Sequence, residues 1–340
     1  MITIKDVAKR ADVAPSTVSR VISNHPAISE KTRDKVRRVM DQMGYMPNVS
    51  ARRLVTKQSN TIGLLLKTAS KEMTQNPFFT DVLMSISKVC KDNHYSTVVS
   101  TSMNEQELLS EVSELVNSNA VDGFILLYSK SNDPVVGYLQ SINFPFVILG
   151  KKLSPLSNEI YIDNDNVMAA YQLTDYMINL GHKNIVFIAE NSTYAVNEDR
   201  VLGYSRACQQ AGLMPEVFEG AAGTEEVSGI IAEIKTMVPR PTAIITSDSM
   251  MNLNVLSELY QQQLKIPDDI QTATFNDSYF NESACPPQTV VNIYPESLGA
   301  EAGSSLIEYL NHPEMIKRSI IIPTAIIERS STKPLKERVL

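Results

Sequence analysis

The sequence predicts a small all-α head followed by an α/β body of two doubly wound parallel-sheet subdomains. Three observations carry the prediction. Residues 3–43 read as three helix patterns separated by breakers. From Thr61 onward, short apolar runs alternate with stretches of helical periodicity, as right-handed βαβ units do. Charge divides the chain at the same place. Residues 1–60 hold 12 Lys and Arg against 5 acids, a net +7; the whole chain is −7, so the remaining 19 basic and 33 acidic residues carry −14. A basic segment beside an acidic one marks nucleic-acid contact at the basic end.

In the head, Thr3 stands before Ile4-Lys5-Asp6-Val7-Ala8-Lys9-Arg10-Ala11, and a hydroxyl N-cap with an acid three residues on starts a helix. Asp12-Val13 breaks it. Pro15, with φ already set for a first helical position, opens a second helix that continues through Ile22. Ala8, Val13, Val18 and Val21 are spaced to share a core. Ser16, Thr17, Ser19 and Arg20 then point outward, and small hydroxyls with one arginine suit insertion into a major groove. Ser29 caps a third helix, Glu30 to Met43, whose Val36, Val39, Met40 and Met43 recur at helical spacing. Gly44-Tyr45-Met46-Pro47-Asn48 ends that helix, and Val49 to Leu54 forms one more short helix with Ala51 and Leu54 on a common face. So short a helix is marginal in water and orders only when something holds it.

In the body, candidate strands are Ile62–Leu66, Ser96–Ser100, Gly123–Tyr128, Phe146–Leu149, Ile160–Asp163, Ile185–Ala189, Ala243–Thr246, Thr272–Phe275 and Val290–Ile293. Helical stretches such as Asp81–Asn93, Glu105–Asn117, Asn166–Leu180 and Met250–Gln262 lie between them. These are too many strands for one small sheet. Two sheets facing across a cleft fit better, and the ends of parallel strands at such a crevice are where small ligands bind.

Five stretches resemble, in order and spacing, the signature series of the lactose-repressor family of bacterial transcription regulators. They are Asp6-Val7-Ala8, Ser16-Thr17-Val18-Ser19-Arg20-Val21, Tyr45-Met46-Pro47-Asn48, Ala51-Arg52-Arg53-Leu54 and Lys57-Gln58-Ser59. The resemblance extends over the whole chain. It implies that Pro15, Ser16, Thr17, Ser19 and Arg20 read operator DNA, that Ser29, Thr32, Tyr45, Asn48 and Ala51 also lie at the DNA, and that Leu54 is an apolar wedge carried into the minor groove by paired hinge helices. Pro15 departs from members that place a large polar or aromatic side chain there.

For the body, the resemblance implies a fold like a periplasmic sugar-binding protein. The division expected is 1–47 for the head, 48–59 for the hinge helix and linker, 60–161 plus 294–320 for one subdomain, 162–292 plus 321–332 for the other, and 333–340 for a tail.

It also implies effector contacts from Phe78 and Phe79 at the cleft's lip, and from Lys151, Arg200, Asp248, Asn276 and Asp277. An apolar ring face stacks on a sugar, and an arginine fork holds two vicinal hydroxyls or a carboxylate. Core packing is the alternative for the two phenylalanines, a surface salt bridge for Arg200, and simple solvation for Lys151. Ser247 stands where many members have Asn, and Asn276 where most have Asp, which replaces a pure acceptor with a donor-acceptor amide. Phe275-Asn276-Asp277-Ser278 and the Gly150-Lys151 turn most resemble the maltose-operon branch, so maltose or a longer α-glucoside is the favoured effector. A different effector, a co-repressor or a phosphoprotein partner stays open.

Other classes fare worse. His25, His94, His182 and His312 stand apart without motif partners, and no phosphate-binding glycine loop occurs, which argues against an enzyme. Cys90, Cys208 and Cys285 lack metal-ligand spacing and read as reduced, mostly buried thiols, so neither metal nor cofactor is expected. A stand-alone sugar-binding protein for transport would carry an export signal, which the start Met1-Ile2-Thr3-Ile4-Lys5-Asp6 does not resemble. A cytoplasmic protein with no membrane contact is the expectation. A homodimer is expected because specific operator affinity usually takes two heads, and the absence of a C-terminal leucine heptad argues against a tetramer.

Overall fold

The computed structural model describes residues 2–23, 25–45, 58–66, 75–154, 157–190, 195–219 and 224–335. The chain divides into two compact units, Met1–Ser59 and Asn60–Leu340. In the first unit lie α1 (Ile4–Ala11), α2 (Pro15–Ile22) and α3 (Glu30–Met43). The expected capping box is present: the Asp6 N–H reaches Thr3 Oγ1 at 3.4 Å while the Asp6 carboxylate accepts the Thr3 N–H at 2.8 Å. Asp12 ends α1 in the left-handed conformation (φ 51°), which an Asp tolerates better than a β-branched residue. Val7, Ala8, Ala11, Val18, Val21 and Val36 form the head's core, and Val13, Val39, Met40, Met43 and Tyr45 pack around it half-buried.

The second unit holds two six-stranded sheets. In the first, β1 (Thr61–Leu65), β2 (Ser96–Val99), β3 (Gly123–Leu126), β4 (Phe146–Leu149), β5 (Ile160–Asp163) and a late strand β11 (Ser319–Ile321) run parallel in the order β11-β5-β4-β3-β1-β2. The helices α4 (Pro77–Asp92), α5 (Glu105–Asn117), α6 (Pro134–Ser141) and α12 (Pro295–Asn311) cover it. The second sheet takes β6 (Ile185–Ala189), β7 (Glu216–Glu219), β8 (Ala243–Thr246), β9 (Gln271–Phe275), β10 (Thr289–Asn292) and β12 (Ala325–Ile327) in the order β12-β10-β9-β8-β6-β7. Only β12 is antiparallel. Around this sheet lie α7 (Asn166–Asn179), α8 (Ala195–Gln210), α9 (Thr224–Thr236), α10 (Ser249–Gln261) and the short α11 (Tyr279–Ser283).

Each sheet buries both faces, so its central strands read as continuous apolar runs and were visible in the sequence. Three strands were not anticipated: β7, β11 and β12. All are edge strands of three or four residues, half-exposed or exposed, with no alternation to mark them. The chain passes between the sheets three times, after β5, after β10 and after β11. The strand β5 runs two residues past the expected boundary at 161, and β11 one past 320.

The start of the expected tail is anchored: the Lys333 N–H donates to Gln271 Oε1 (2.8 Å), the Gln271 amide donates back to the Lys333 carbonyl, and the Leu335 N–H bonds the Leu180 carbonyl. Backbone pairing with a buried glutamine ties this segment to the second sheet. Among the described residues no helix is long and apolar enough to cross a membrane, and no group of three His, Cys, Asp or Glu could hold a metal ion. Cys90 and Cys208 are buried, but Cys285 is exposed.

Candidate DNA interface and effector cleft

On the head, Val18 and Val21 turn one face of α2 into the core, and this fixes which side chains remain outside. Pro15, Ser16 and Arg20 are exposed, whereas Thr17 and Ser19 are half-buried. Ser29 and Thr32 serve first as structure: Ser29 Oγ accepts the Thr32 N–H (3.3 Å) and shares a hydrogen bond with the Thr32 hydroxyl (2.9 Å), which caps α3. Tyr45 packs half-buried on the head's core. Asn48, Ala51 and Leu54, and with them the expected hinge helix, lie outside the described residues.

In the body, two contacts among the described residues join the parts built on the two sheets. Phe78, at the start of α4, packs against the cores of both, with Phe79 edge-on to it at 5.1 Å between ring centroids. Asn76 sets this placement by capping α4 through the Phe78 N–H (3.1 Å). Lys151 follows β4 of the first sheet, and its ammonium meets Asp199 Oδ1 of α8 at 2.5 Å. The carboxylate is almost fully buried and the lysine side chain is partly open to solvent, so Lys151 answers a buried charge rather than floating free.

Arg200, one residue on, is not a surface salt bridge. It is 5% exposed. Its Nε and Nη2 donate to Asn166 Oδ1 (3.2 and 3.1 Å), its Nη1 donates to the Ser247 carbonyl (2.5 Å), and its guanidinium lies 4.4 Å above the Phe275 ring. Burial pulls its pKa down to about 10, against the opposing pull of Asp248, Asp163 and Asp199, and it stays charged at neutral pH. Asp163 responds in the other direction: burial, aided by Asp199, pushes it up to about 6, although the Asn164 N–H, Arg200 and Asn166 favour its charged form.

Three positions therefore meet around the ends of β8 and β9: Arg200, the Ser247-Asp248 turn, and Asn276. Asp248 caps α10, with Oδ1 accepting the Met250 and Met251 N–H groups at 2.9 and 2.8 Å. Asn276 sits at φ 69°, its carbonyl held by the Ser249 hydroxyl (2.6 Å) and the Asn281 amide (3.0 Å). Asp277 is turned to another task, gripped in a bidentate fork by Arg329 at 2.9 and 3.0 Å. Native interiors rarely leave polar groups unpaired, and of the four buried side-chain atoms without a partner among the described residues, Arg33 Nε and His182 Nε2 lie elsewhere while two belong to these positions. Ser247 Oγ and Asn276 Oδ1 are buried without a hydrogen-bond partner among the described residues. Arg200 also spends only three of its five N–H donors there. Sequence reasoning missed Asn166, and for Ser247 it missed the carbonyl that Arg200 holds, because these roles arise from separate segments that only the folded sheet brings to Arg200.

Comparison with known proteins gives the same architecture. The bacterial regulatory proteins of the lacI family match residues 3–48, and the periplasmic binding protein-like domain matches 174–332. The chain is 45% identical over 337 residues to the HTH-type transcriptional regulator MalR of Staphylococcus xylosus, which spans 99% of this chain and 100% of that protein. A crystal structure of a probable maltose operon transcriptional repressor from Staphylococcus aureus is 37% identical, with TM-score 0.77 over 81% of this chain and 99% of that one. The Lac repressor dimer bound to operator shares the fold at TM-score 0.83 and 22% identity, covering 98% of this chain and 99% of the repressor.

Proposed function

The chain belongs to the lacI family of bacterial regulatory proteins and is a DNA-binding transcriptional repressor of that type, and on this premise we propose that it is a cytoplasmic homodimer whose grip on operator DNA is set by a neutral sugar, maltose or a related α-glucoside, bound between the two subdomains. The observation that carries the effector reading is the set of unfulfilled polar valences at Arg200, Ser247 and Asn276. Two free N–H donors, an unpaired hydroxyl and an unpaired amide oxygen call for groups that both accept and donate, and adjacent sugar hydroxyls do both. Phe78 and Phe79 supply the apolar ring faces at the lip. The cleft carries Asp163, Asp199 and Asp248 against Lys151 and Arg200, a balance that favours an uncharged ligand over a phosphorylated one. One solved relative bears the name of a probable maltose operon transcriptional repressor, which supports maltose among the sugars.

On the DNA side, α2 enters the major groove through Pro15, Ser16, Thr17, Ser19 and Arg20. The segment 48–59 orders as a hinge helix that places Leu54 in the minor groove. Effector binding changes the angle between subdomains, here taken as 60–161 plus 294–320 and 162–292 plus 321–332, and that angle decides whether paired hinge helices order. Calorimetry with maltose, a longer maltodextrin, galactose and a purine tests the effector: maltose or the maltodextrin binds, and a purine as sole binder defeats the sugar reading. Arg200→Ala weakens sugar binding by about 2–4 kcal/mol because it leaves Asn166 and the Ser247 carbonyl unpaired as well. Operator affinity of that variant without sugar stays near wild type.

A further inference from the structure

The three passes between the subdomains meet at one side chain. Asn164, on the first pass, is 5% exposed, and its Nδ2 donates to the Ile293 carbonyl (3.1 Å) on the second pass and to the Ile322 carbonyl (2.9 Å) on the third. Its two amide hydrogens are thereby divided between the other two hinge segments, with none left over. The same residue begins a second series of bonds. Its N–H donates to Asp163 Oδ1 (2.8 Å); that oxygen also accepts the Asn166 amide (3.2 Å); and Asn166 Oδ1 receives Arg200 through both Nε and Nη2. Each link is a buried or half-buried polar contact, so a shift at one end leaves a group unpaired unless the next one follows.

We propose that Asn164 is a positioning residue, the clasp that holds the three hinge segments together, and that the series Arg200, Asn166, Asp163, Asn164 carries effector occupancy to the angle between the subdomains. The inference rests on the reading of Arg200 as an effector contact. Occupancy at the two free N–H groups of Arg200 reorients its fork on Asn166. The hinge registers this through Asp163 and the amide of Asn164. The bistable element is the crossing itself, whose two outer segments have this one side chain in common.

Asn164→Ala in the full-length dimer, with unfolding temperature, maltose affinity by calorimetry, and operator affinity with and without maltose, tests the idea. The expected result is a folded protein that binds maltose within about threefold of wild type while the ratio of operator affinities with and without the sugar falls to about 1, since a coupling constant is a property of the pair of sites. A role in stability alone would lower the unfolding temperature and leave that ratio intact, and such a result overturns the proposal. Should the alanine variant not fold, Asn164→Leu fills the same space without a side-chain N–H and is read in the same way. Small-angle scattering of the unliganded variant separates this proposal from the sugar reading. If wild type binds no sugar, the sugar assignment fails alone, and the clasp stands when the Asn164 variant still shows a larger radius of gyration than wild type. An unchanged radius sinks it.

Discussion

Asp163 is the residue where the cleft's electrostatics are most exposed to measurement. Its carboxyl is raised to about 6 chiefly by burial, above the ordinary range near 4 that it recovers when the chain unfolds. Below pH 4 it is protonated in both states and contributes nothing. Between pH 4 and 6 the unfolded chain releases the proton first, so stability falls as pH rises, and above pH 6 the full cost of a buried charge is present. Asp163→Asn keeps an acceptor oxygen for the Asn164 N–H and the Asn166 amide but has no proton to lose. Its stability advantage over wild type should widen by about 1 kcal/mol between pH 5 and pH 7 in thermal or denaturant unfolding. An advantage independent of pH contradicts the assignment. Arg200 and Asn276 could be singled out in the sequence from residue type and position. Asn164 and Asn166 could not, because an Asp-Asn-Asp-Asn run after a strand reads as turn chemistry until the hinge carbonyls are seen beside it.

At the scale of elements, α7 and α8 pack so closely that Gly203 has no room for a side chain: a Cβ there would sit 2.1 Å from the Val167 carbonyl oxygen. Gly203 lies three residues beyond Arg200 on α8, and Asn166 begins α7, so this contact also sets the distance over which Arg200 reaches its partner. Gly203→Ala must push the helices apart, with a loss of about 1–3 kcal/mol in stability and weaker sugar binding. Gly299 on α12 is a matched control, since a Cβ there meets the Val82 carbonyl at 2.6 Å, far along the chain from Arg200. Gly299→Ala should destabilise comparably and leave sugar affinity unchanged; equal loss of affinity in both would mean that the effect on binding is only a consequence of instability. Such close approaches leave no trace in hydrophobic periodicity. The helices of the head were legible to the residue because caps, Pro15 and Gly44 punctuate them, and the interior strands because both faces are buried. The edge strands β7, β11 and β12 lack both signals, and β12 could be placed only through its antiparallel pairing with β10.

Across the whole molecule, the separation of +7 in residues 1–60 from −14 beyond them means that operator affinity and effector affinity should answer to different variables. In the proposed dimer two heads neutralise phosphates and release counterions, and the logarithm of operator affinity should fall against the logarithm of salt with a slope on the order of −5 to −10. An uncharged sugar in a cleft whose cations already face carboxylates displaces no counterions, so its affinity should be nearly flat over the same range. The two titrations can be run on one preparation. A flat operator response would remove phosphate contact as the source of affinity, and a steep sugar response would mean that the bound effector is charged. Arg20 is exposed on α2, and Arg20→Ala sharpens the test. If Arg20 reads a base edge, the variant loses about 1–3 kcal/mol of discrimination between operator and random DNA. If it is only a phosphate clamp, affinity for both DNAs drops together and the salt slope becomes shallower by about one for each head.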